Sequence, residues 1–372
     1  MLTMRIEQIE LRPLTLRLTQ PFKTAHDVTY NRPLTLIAVT ADGVTGYGDV
    51  QSFIDHGYAP ESQAESLAEI ERLVSMLLGE DFATPVDMAN WLATHSNLSF
   101  AKAGLEMAFY DAYGKATHQS LQQMIGGTAS EIAVGIAIGI ADTEMALMTS
   151  VENAVNQGYR RIKLKIDSQT DLEMLKTVIS QFPNQQFSVD ANASWQPTDF
   201  ARLQQLEGAG IFMIEQPFAT DAWQAHQEAQ AKLQMHISLD ESLNDLEDVR
   251  RAIVEQTADA FTIKQAKIGG ITAAKTAIEL SLSDNRLPWL GGMLSSGLGR
   301  AVDAALASLP GANVIPSDNS QADRYFEQDI ILHAPMLDAG QLPVPTAPGI
   351  GVTLDWDAIN SLQAQPTKIF RA

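Results

Sequence analysis

Five short apolar runs in the middle of the chain each end on a charged side chain: KLK (163–165), FSVD (187–190), FMIE (212–215), ISLD (237–240) and FTIK (261–264). In RIKLKID, residues 161–167, Ile162, Leu164 and Ile166 alternate with Lys163 and Lys165, so a strand sends the aliphatics to one face and both ammonium groups to the other. The charged ends fall at 165, 190, 215, 240 and 264, at intervals of 25, 25, 25 and 24. That period is the length of one strand, one helix and two short loops, the unit of parallel βα folds.

The intervening stretches read as helices. Leu172, Leu175 and Ile179 fall at helical spacing, as do Leu246, Val249 and Ile253. Phe200, Leu203 and Leu206 do the same between a candidate N-cap at Thr198 and a C-terminal Gly208. Extending the ladder outward adds candidate strands at 134–138, 289–293 and 314–317, which brings the count to eight. Eight parallel strands alternating with helices predict a closed α/β barrel, with its chemistry at the C-terminal strand ends where the five charges lie. Residues 1–125 offer alternating strand-like runs such as 34–40, a turn signal at Asp42-Gly43 and a helical stretch over 101–116, and read as a separate α+β domain capping the barrel. The barrel is assigned to 126–320, and 321–372 to a C-terminal segment that returns to the cap.

Composition narrows the function classes. The formal charge is −20, from 25 Lys plus Arg against 45 Asp plus Glu, a field that repels nucleic acid and anionic lipid. The expected partner is a small anionic carboxylate substrate bound where local cations overrule that field. No nucleic acid or membrane partner is expected, and the subunit number is left open, a homo-oligomer included. No cysteine is present, which removes thiolate catalysis and thiolate metal sites. The start MLTMRIEQIELRP lacks a signal-type apolar stretch, so cytoplasmic residence is expected.

Inward-facing residues of a barrel meet near its axis, so Lys163, Lys165, Asp190, Glu215, Asp240 and Lys264 are expected to converge. Three carboxylates held together raise each other's pKa unless a cation sits between them. Oxygen-only ligands favour Mg²⁺, with Mn²⁺ a reasonable substitute. A lysine base needs a pKa of roughly 7 to 8 against about 10.4 unperturbed, so the site must supply about 4 kcal/mol. Two ammonium groups about 6.6 Å apart repel by about 2.5 kcal/mol at an effective dielectric near 20. Lys163 therefore reads either as a tuner of Lys165 or as a structural partner of a carboxylate. Lys165, nearer the barrel mouth, is the better-placed base. The implied chemistry is proton abstraction next to a carboxylate, with the divalent ion stabilising the enediolate.

KLK at 163–165, DAN at 190–192, EQP at 215–217, DES at 240–242 and IK at 263–264 resemble the signature of the enolase superfamily's muconate-lactonizing-enzyme subgroup. Within it the chain is most similar to the o-succinylbenzoate synthase and N-acylamino acid racemase family, through PFKT near 21, GYGD at 46–49, AKAGLEMAFYDAYGK at 101–115, GGMLSSGLGR at 291–300 and PGIGV at 348–352. The resemblance implies an α+β capping domain on a modified TIM barrel, (β/α)7β. It implies Asp190, Glu215 and Asp240 as metal ligands, and Lys165 and Lys264 as the acid/base pair. It implies two reactions on one site: metal-assisted dehydration of 2-succinyl-6-hydroxy-2,4-cyclohexadiene-1-carboxylate to 2-succinylbenzoate in menaquinone biosynthesis, and racemisation of N-succinylamino acids.

Lys267 stands where relatives commonly carry arginine, and Ser295 where they carry glutamate. Racemisation requires Lys264 as a base whereas dehydration uses it as a fixed cation, so Lys267 tilts the expectation toward the synthase. Asn192 and Glu241 are read as groups supporting the ligands, against the alternative of ordinary loop polar residues. Gly291, Gly292 and Met293 are assigned to substrate binding, the glycines by letting backbone approach the ligand or merely by permitting a tight strand exit. The loops at 20–27 and 51–58 hang over the mouth and choose the substrate by the same resemblance; Phe22 and Tyr58 there either wall off an apolar pocket or belong to the core of the cap, and each is read first as core. His26, His56 and His236 show no ligand spacing. A metal-bound barrel without activity, serving as a binding module, is the distant alternative, and it predicts loss of a ligand or lysine that this chain retains.

Overall fold

The computed structural model describes residues 2–23, 28–321 and 325–372, those at 22 and 23 by backbone alone. Three antiparallel strands, β1 (Met4–Lys23), β2 (Val28–Ala41) and β3 (Val44–Val50), open the chain. The β2–β3 hairpin turns at Asp42 and Gly43, with φ of 45° and 74°. Positive φ at both turn positions matches the twist of the flanking strands and suits an Asp-Gly pair. Helices α1 (Gln63–Leu77), α2 (Pro85–His95) and α3 (Ser99–Thr117) pack on this sheet. Helix α3 sits close enough that a Cβ on Gly46 or Gly48 would fall within 2.1–2.5 Å of its backbone carbonyls, so only glycine allows that approach.

Seven parallel strands follow in sequential order: β4 (Gly135–Ile138), β5 (Arg161–Lys165), β6 (Gln186–Asp190), β7 (Ile211–Glu215), β8 (His236–Leu239), β9 (Ala260–Ile263) and β10 (Leu287–Leu290). Their outward residues, among them Ile162, Leu164, Phe187, Val189, Ile214, Ile237, Leu239, Phe261 and Ile263, join the surrounding helices in one apolar layer. Inside the ring, Ser188, Ser238 and Thr262 lie beneath the charged tips, with Arg161 and an apolar cluster of Met213, Ala260, Trp289 and Ile315 filling the floor. This separation follows from the period-2 alternation of the strands.

Two expectations change in detail. The stretch at 314–317 forms no ladder strand; one bridge pairs Val134 with Ser317, and Asp318 N donates to Leu290 O at 2.9 Å, so a short connector closes the ring between β10 and β4. Pro316 offers no N–H and Val314 is exposed, so neither could hold an interior strand. The helix expected between Thr198 and Gly208 is broken into 3₁₀, α and 3₁₀ turns at 197–206, with Thr198 inside the first turn and Leu203 and Leu206 still buried. The helices at Leu172–Ser180 and Leu246–Val254 form as the spacing predicts, capped by Asp171 and Asp245. The last strand, β11 (Lys368–Arg371), pairs antiparallel with β1. Among the described residues no helix is long and apolar enough to cross a membrane.

Candidate active site

The parallel register brings the strand tips level: Lys165 pairs with Asp190, and Asp190 with Glu215. Lys165 Nζ donates to Asp190 Oδ2 at 2.7 Å and to Asn192 Oδ1 at 2.8 Å. Lys163 Nζ lies 2.7 Å from Glu215 and 3.3 Å from Asp190, and also pairs with Asp318. Across the mouth, Lys264 Nζ donates to Asp240 Oδ2 at 2.7 Å. Lys267 Nζ donates to the Asp240 carbonyl at 2.7 Å, so it braces Asp240. Asn192, in a left-handed turn with φ 43°, bridges Lys165 to Glu241 through a 2.8 Å bond from its Nδ2.

Electrostatics follow from this packing. Burial alone would discharge Lys163, but Asp318, Glu215 and Asp190 outweigh it and keep the ammonium well above its ordinary pKa. These three ion pairs are what the partner reading of Lys163 calls for. Burial raises the Asp190 and Asp240 carboxyls, yet their lysines win: Lys165 and Lys163 lower Asp190, Lys264 and Lys267 lower Asp240. Glu215, fully buried, is pushed up to about 8 by burial and by Asp190, against the pull of Lys163. Glu241 is raised by burial and by Asp240, and its Oε2 is buried without a hydrogen-bond partner.

The carboxylates do not meet at one point. Among the described residues no three acidic or histidine side chains are gathered tightly enough to hold an ion as they stand, because ammonium groups lie between them. The donor chemistry nonetheless suits a divalent ion: three hard carboxylates, no sulfur or imidazole, a buried Glu215 burdened by like charges and an orphaned Glu241 oxygen beside them.

Above these groups lies a cavity of about 760 Å³, lined by Lys163, Lys165, Asp190, Asp240 and Lys264 and roofed by cap residues including Phe53 and Tyr58. Glu215 is fully buried beneath it. Gly292 and Met293 line the cavity. Gly291 does something else: a Cβ there would fall 2.4 Å from Thr262 Cγ2 and 2.6 Å from Lys264 Cε, so the missing side chain makes room for the lysine stem. Ser295 lies buried, its Oγ donating to Gln51 Oε1 of the cap at 3.0 Å.

Tyr58, read from sequence first as core, belongs to the site. Its hydroxyl donates to Asp240, at 2.9 and 3.0 Å from the two carboxyl oxygens, and accepts from Lys264 Nζ. Burial and Asp240 keep the phenol protonated, raising its pKa well above the ordinary value. Asp318, which sequence reasoning passed over, also pairs with Arg161 and so fixes the floor under Lys163. The rule that singled out the other tips, an apolar run ending on an acid, applies to IPSD at 315–318 too. His56 pairs with Glu65 and His236 with Asp259, both at the surface; the His26 and Phe22 assignments, and the loop at 24–27, lie outside the described side chains.

Residues 146–358 match the enolase C-terminal domain-like family, and residues 8–126 the mandelate racemase / muconate lactonizing enzyme N-terminal domain. The chain belongs to the enolase superfamily. A superfamily member from Listeria innocua, solved crystallographically, superposes with a TM-score of 0.95 at 33% identity over 99% of each chain. An o-succinylbenzoate synthase of Bacillus subtilis is 34% identical over 354 residues, covering 95% of both proteins. An N-succinylamino acid racemase of Thermus thermophilus is 37% identical over 352 residues, covering 94% of this chain and 95% of that one. In this enolase-superfamily site, then, lysines approach the cavity from strands on both flanks of the acids, β5 on one side and the end of β9 on the other.

Proposed function

We propose that this protein is an o-succinylbenzoate synthase acting in the cytoplasm on 2-succinyl-6-hydroxy-2,4-cyclohexadiene-1-carboxylate to make 2-succinylbenzoate for menaquinone. The observation that carries the reading is the placement of Lys165 and Lys264 on opposite sides of one cavity, each tethered to a different acid of the Asp190, Glu215 and Asp240 set. Full-length synthases among the relatives support the substrate assignment. The cap, residues 1–125 with 321–372, would select the substrate over the barrel of 126–320; pairing of Leu11 with Lys368 supports treating both ends as one body.

Asp190, Glu215 and Asp240 would hold a divalent cation, Mg²⁺ by the hardness of the donors, which when bound favours negative charge developing on the substrate carboxylate. Lys165 takes the proton from the carbon next to that carboxylate. As the ammonium it gives a proton to the departing hydroxyl, so one C–H and one C–O bond break, a ring double bond forms and water leaves. Asn192 keeps Lys165 aimed by accepting from Nζ while Glu241 holds the amide. Lys264, kept charged by Asp240 and Glu215 against the effect of burial, serves as a fixed cation opposite the base.

The charges suit an anionic substrate: Asp190, Glu215, Asp240, Glu241 and Asp318 face Arg161, Lys163, Lys165, Lys264 and Lys267, and Arg300 adds a further cation to the cavity lining.

N-succinylamino acid racemisation is the second reading, favoured by the 37% identical racemase and by the reach of both lysines into one cavity. Assaying the purified protein with Mg²⁺ on both substrates decides. Dehydration with negligible racemisation supports the synthase; the reverse overturns it.

A further inference from the structure

Arg300 and Asp303 stand one turn apart on the helix Gly297–Ala307 that follows β10, and both line the main cavity. Their relative exposures are 9% and 6%. Arg300 is anchored by two backbone carbonyls, with Nε donating to Ser295 O at 3.1 Å and Nη1 to Ser320 O, while its guanidinium lies over the Tyr325 ring, 4.7 Å from the centroid. Among the described residues Nη2 makes no hydrogen bond and the guanidinium forms no ion pair. A buried guanidinium without an anion is costly to the free protein and is normally matched by a counter-ion. Asp303 does not supply one, for it makes neither an ion pair nor a hydrogen bond among the described residues. Burial and the nearby Asp49 push its carboxyl up to about 8, against the opposing effects of Arg300 and Lys264. Asp303 thus leaves the Arg300 guanidinium without a paired anion among the described residues, facing the cavity.

We propose that Arg300 forms a distal carboxylate subsite, in which its Nη2 binds the carboxylate of the substrate remote from the reacting carbon. This deepens the proposed function and rests on it for the identity of the ligand, whose succinyl tail carries that second carboxylate. The same tail ends an N-succinylamino acid, so the subsite serves either reaction. Arg300 acts in binding and leaves the chemical step to Lys165.

The test is equilibrium binding by titration calorimetry in Mg²⁺, comparing 2-succinylbenzoate with its analogue whose succinyl carboxylate is a primary amide. Losing a buried charged partner costs at least about 2 kcal/mol, or about 30-fold in affinity. Wild-type protein is expected to prefer the dicarboxylate by about 30-fold or more. Arg300→Leu is expected to erase that preference while leaving affinity for the amide within about threefold, and Arg300→Lys to restore part of it. Equal weakening of both ligands by Arg300→Leu, or a variant that still discriminates as wild type does, overturns the subsite. Should Arg300→Leu fail to fold, the wild-type ratio decides, and a ratio near one overturns the proposal. Binding is read without turnover, so a protein that shows the Arg300-dependent preference but does not dehydrate the cyclohexadiene overturns the synthase reading alone.

Discussion

Replacing Tyr58 with phenylalanine deletes one oxygen that Asp240 and Lys264 share, and leaves the ring where it is. The ring's edge-on packing against Phe53, 5.5 Å between centroids, does not need the hydroxyl, so stability is expected to fall by no more than the hydroxyl's own hydrogen bonds are worth. The hydroxyl itself makes contacts of 2.9 and 3.0 Å with Asp240 and accepts from Lys264. Hydrogen bonds to charged groups are worth about 1.5–3 kcal/mol, so a reaction in which Lys264 moves a proton is expected to lose about 10- to 150-fold in kcat. Dehydration, for which Lys264 only has to remain a cation held by Asp240, is expected to lose less, roughly threefold to tenfold. The assay is steady-state kcat and KM on the cyclohexadiene dicarboxylate and on an N-succinylamino acid, alongside thermal unfolding. A Tyr58→Phe protein within about twofold of wild type in both reactions would refute the idea that the phenol positions Lys264.

Two further outcomes follow from the packing. Gly291→Ala would place a Cβ 2.6 Å from Lys264 Cε, and the overpacking cost of about 1–3 kcal/mol is expected to appear as displacement of the lysine: kcat falls at least about tenfold, and the crystal structure of the variant shows Nζ moved off Asp240. An unmoved Lys264 with wild-type kcat contradicts this account of the glycine. Glu106 of α3 accepts from Thr272 N at 2.8 Å across the cap–barrel junction, and burial pushes it up to about 7, against the hydrogen bonds from Thr272 and Ile271. Between pH about 4.5 and 7 the folded protein keeps a proton that the unfolded chain has lost, so stability falls as pH rises, by about 3 kcal/mol over the window. Glu106→Gln has no proton to lose, so denaturant midpoints measured from pH 5 to 8 are expected to decline less in the variant; parallel declines would exclude Glu106 as the cause.

Much of the site was legible because a barrel converts a one-dimensional rule into a convergent one. Each apolar strand runs to a charged tip, and a spacing of 25 residues returns the chain to the same rim. Asp190, Glu215 and Asp240 and the lysines at 163, 165 and 264 were therefore placed by alternation and period alone. Residues outside that repeat carried no such signal. Tyr58 reaches the metal-ligand candidates from a loop of the cap, 182 positions from Asp240 in sequence, and nothing local to it foretells the contact. The strand expected at 314–317 gives way to bridge hydrogen bonds beside a proline, and Asp318, one residue past that stretch, was passed over. Gly291 and Gly292 were assigned together by resemblance; Gly292 lines the cavity whereas Gly291 makes room for the Lys264 stem, and only the folded position of that stem separates them. Lys163 was ambiguous for a different reason, since alternation shows where a charge points but not how many carboxylates await it.

The most direct test of the central claim is a titration of metal-free protein with Mn²⁺, followed by electron paramagnetic resonance, for wild type and for Asp190→Asn, Glu215→Gln and Asp240→Asn. One tightly bound ion per chain, displaced by Mg²⁺ and weakened at least about tenfold in each variant that circular dichroism shows to be folded, is the predicted result. Absence of a tight site in wild type, or a site indifferent to all three substitutions, would contradict the account.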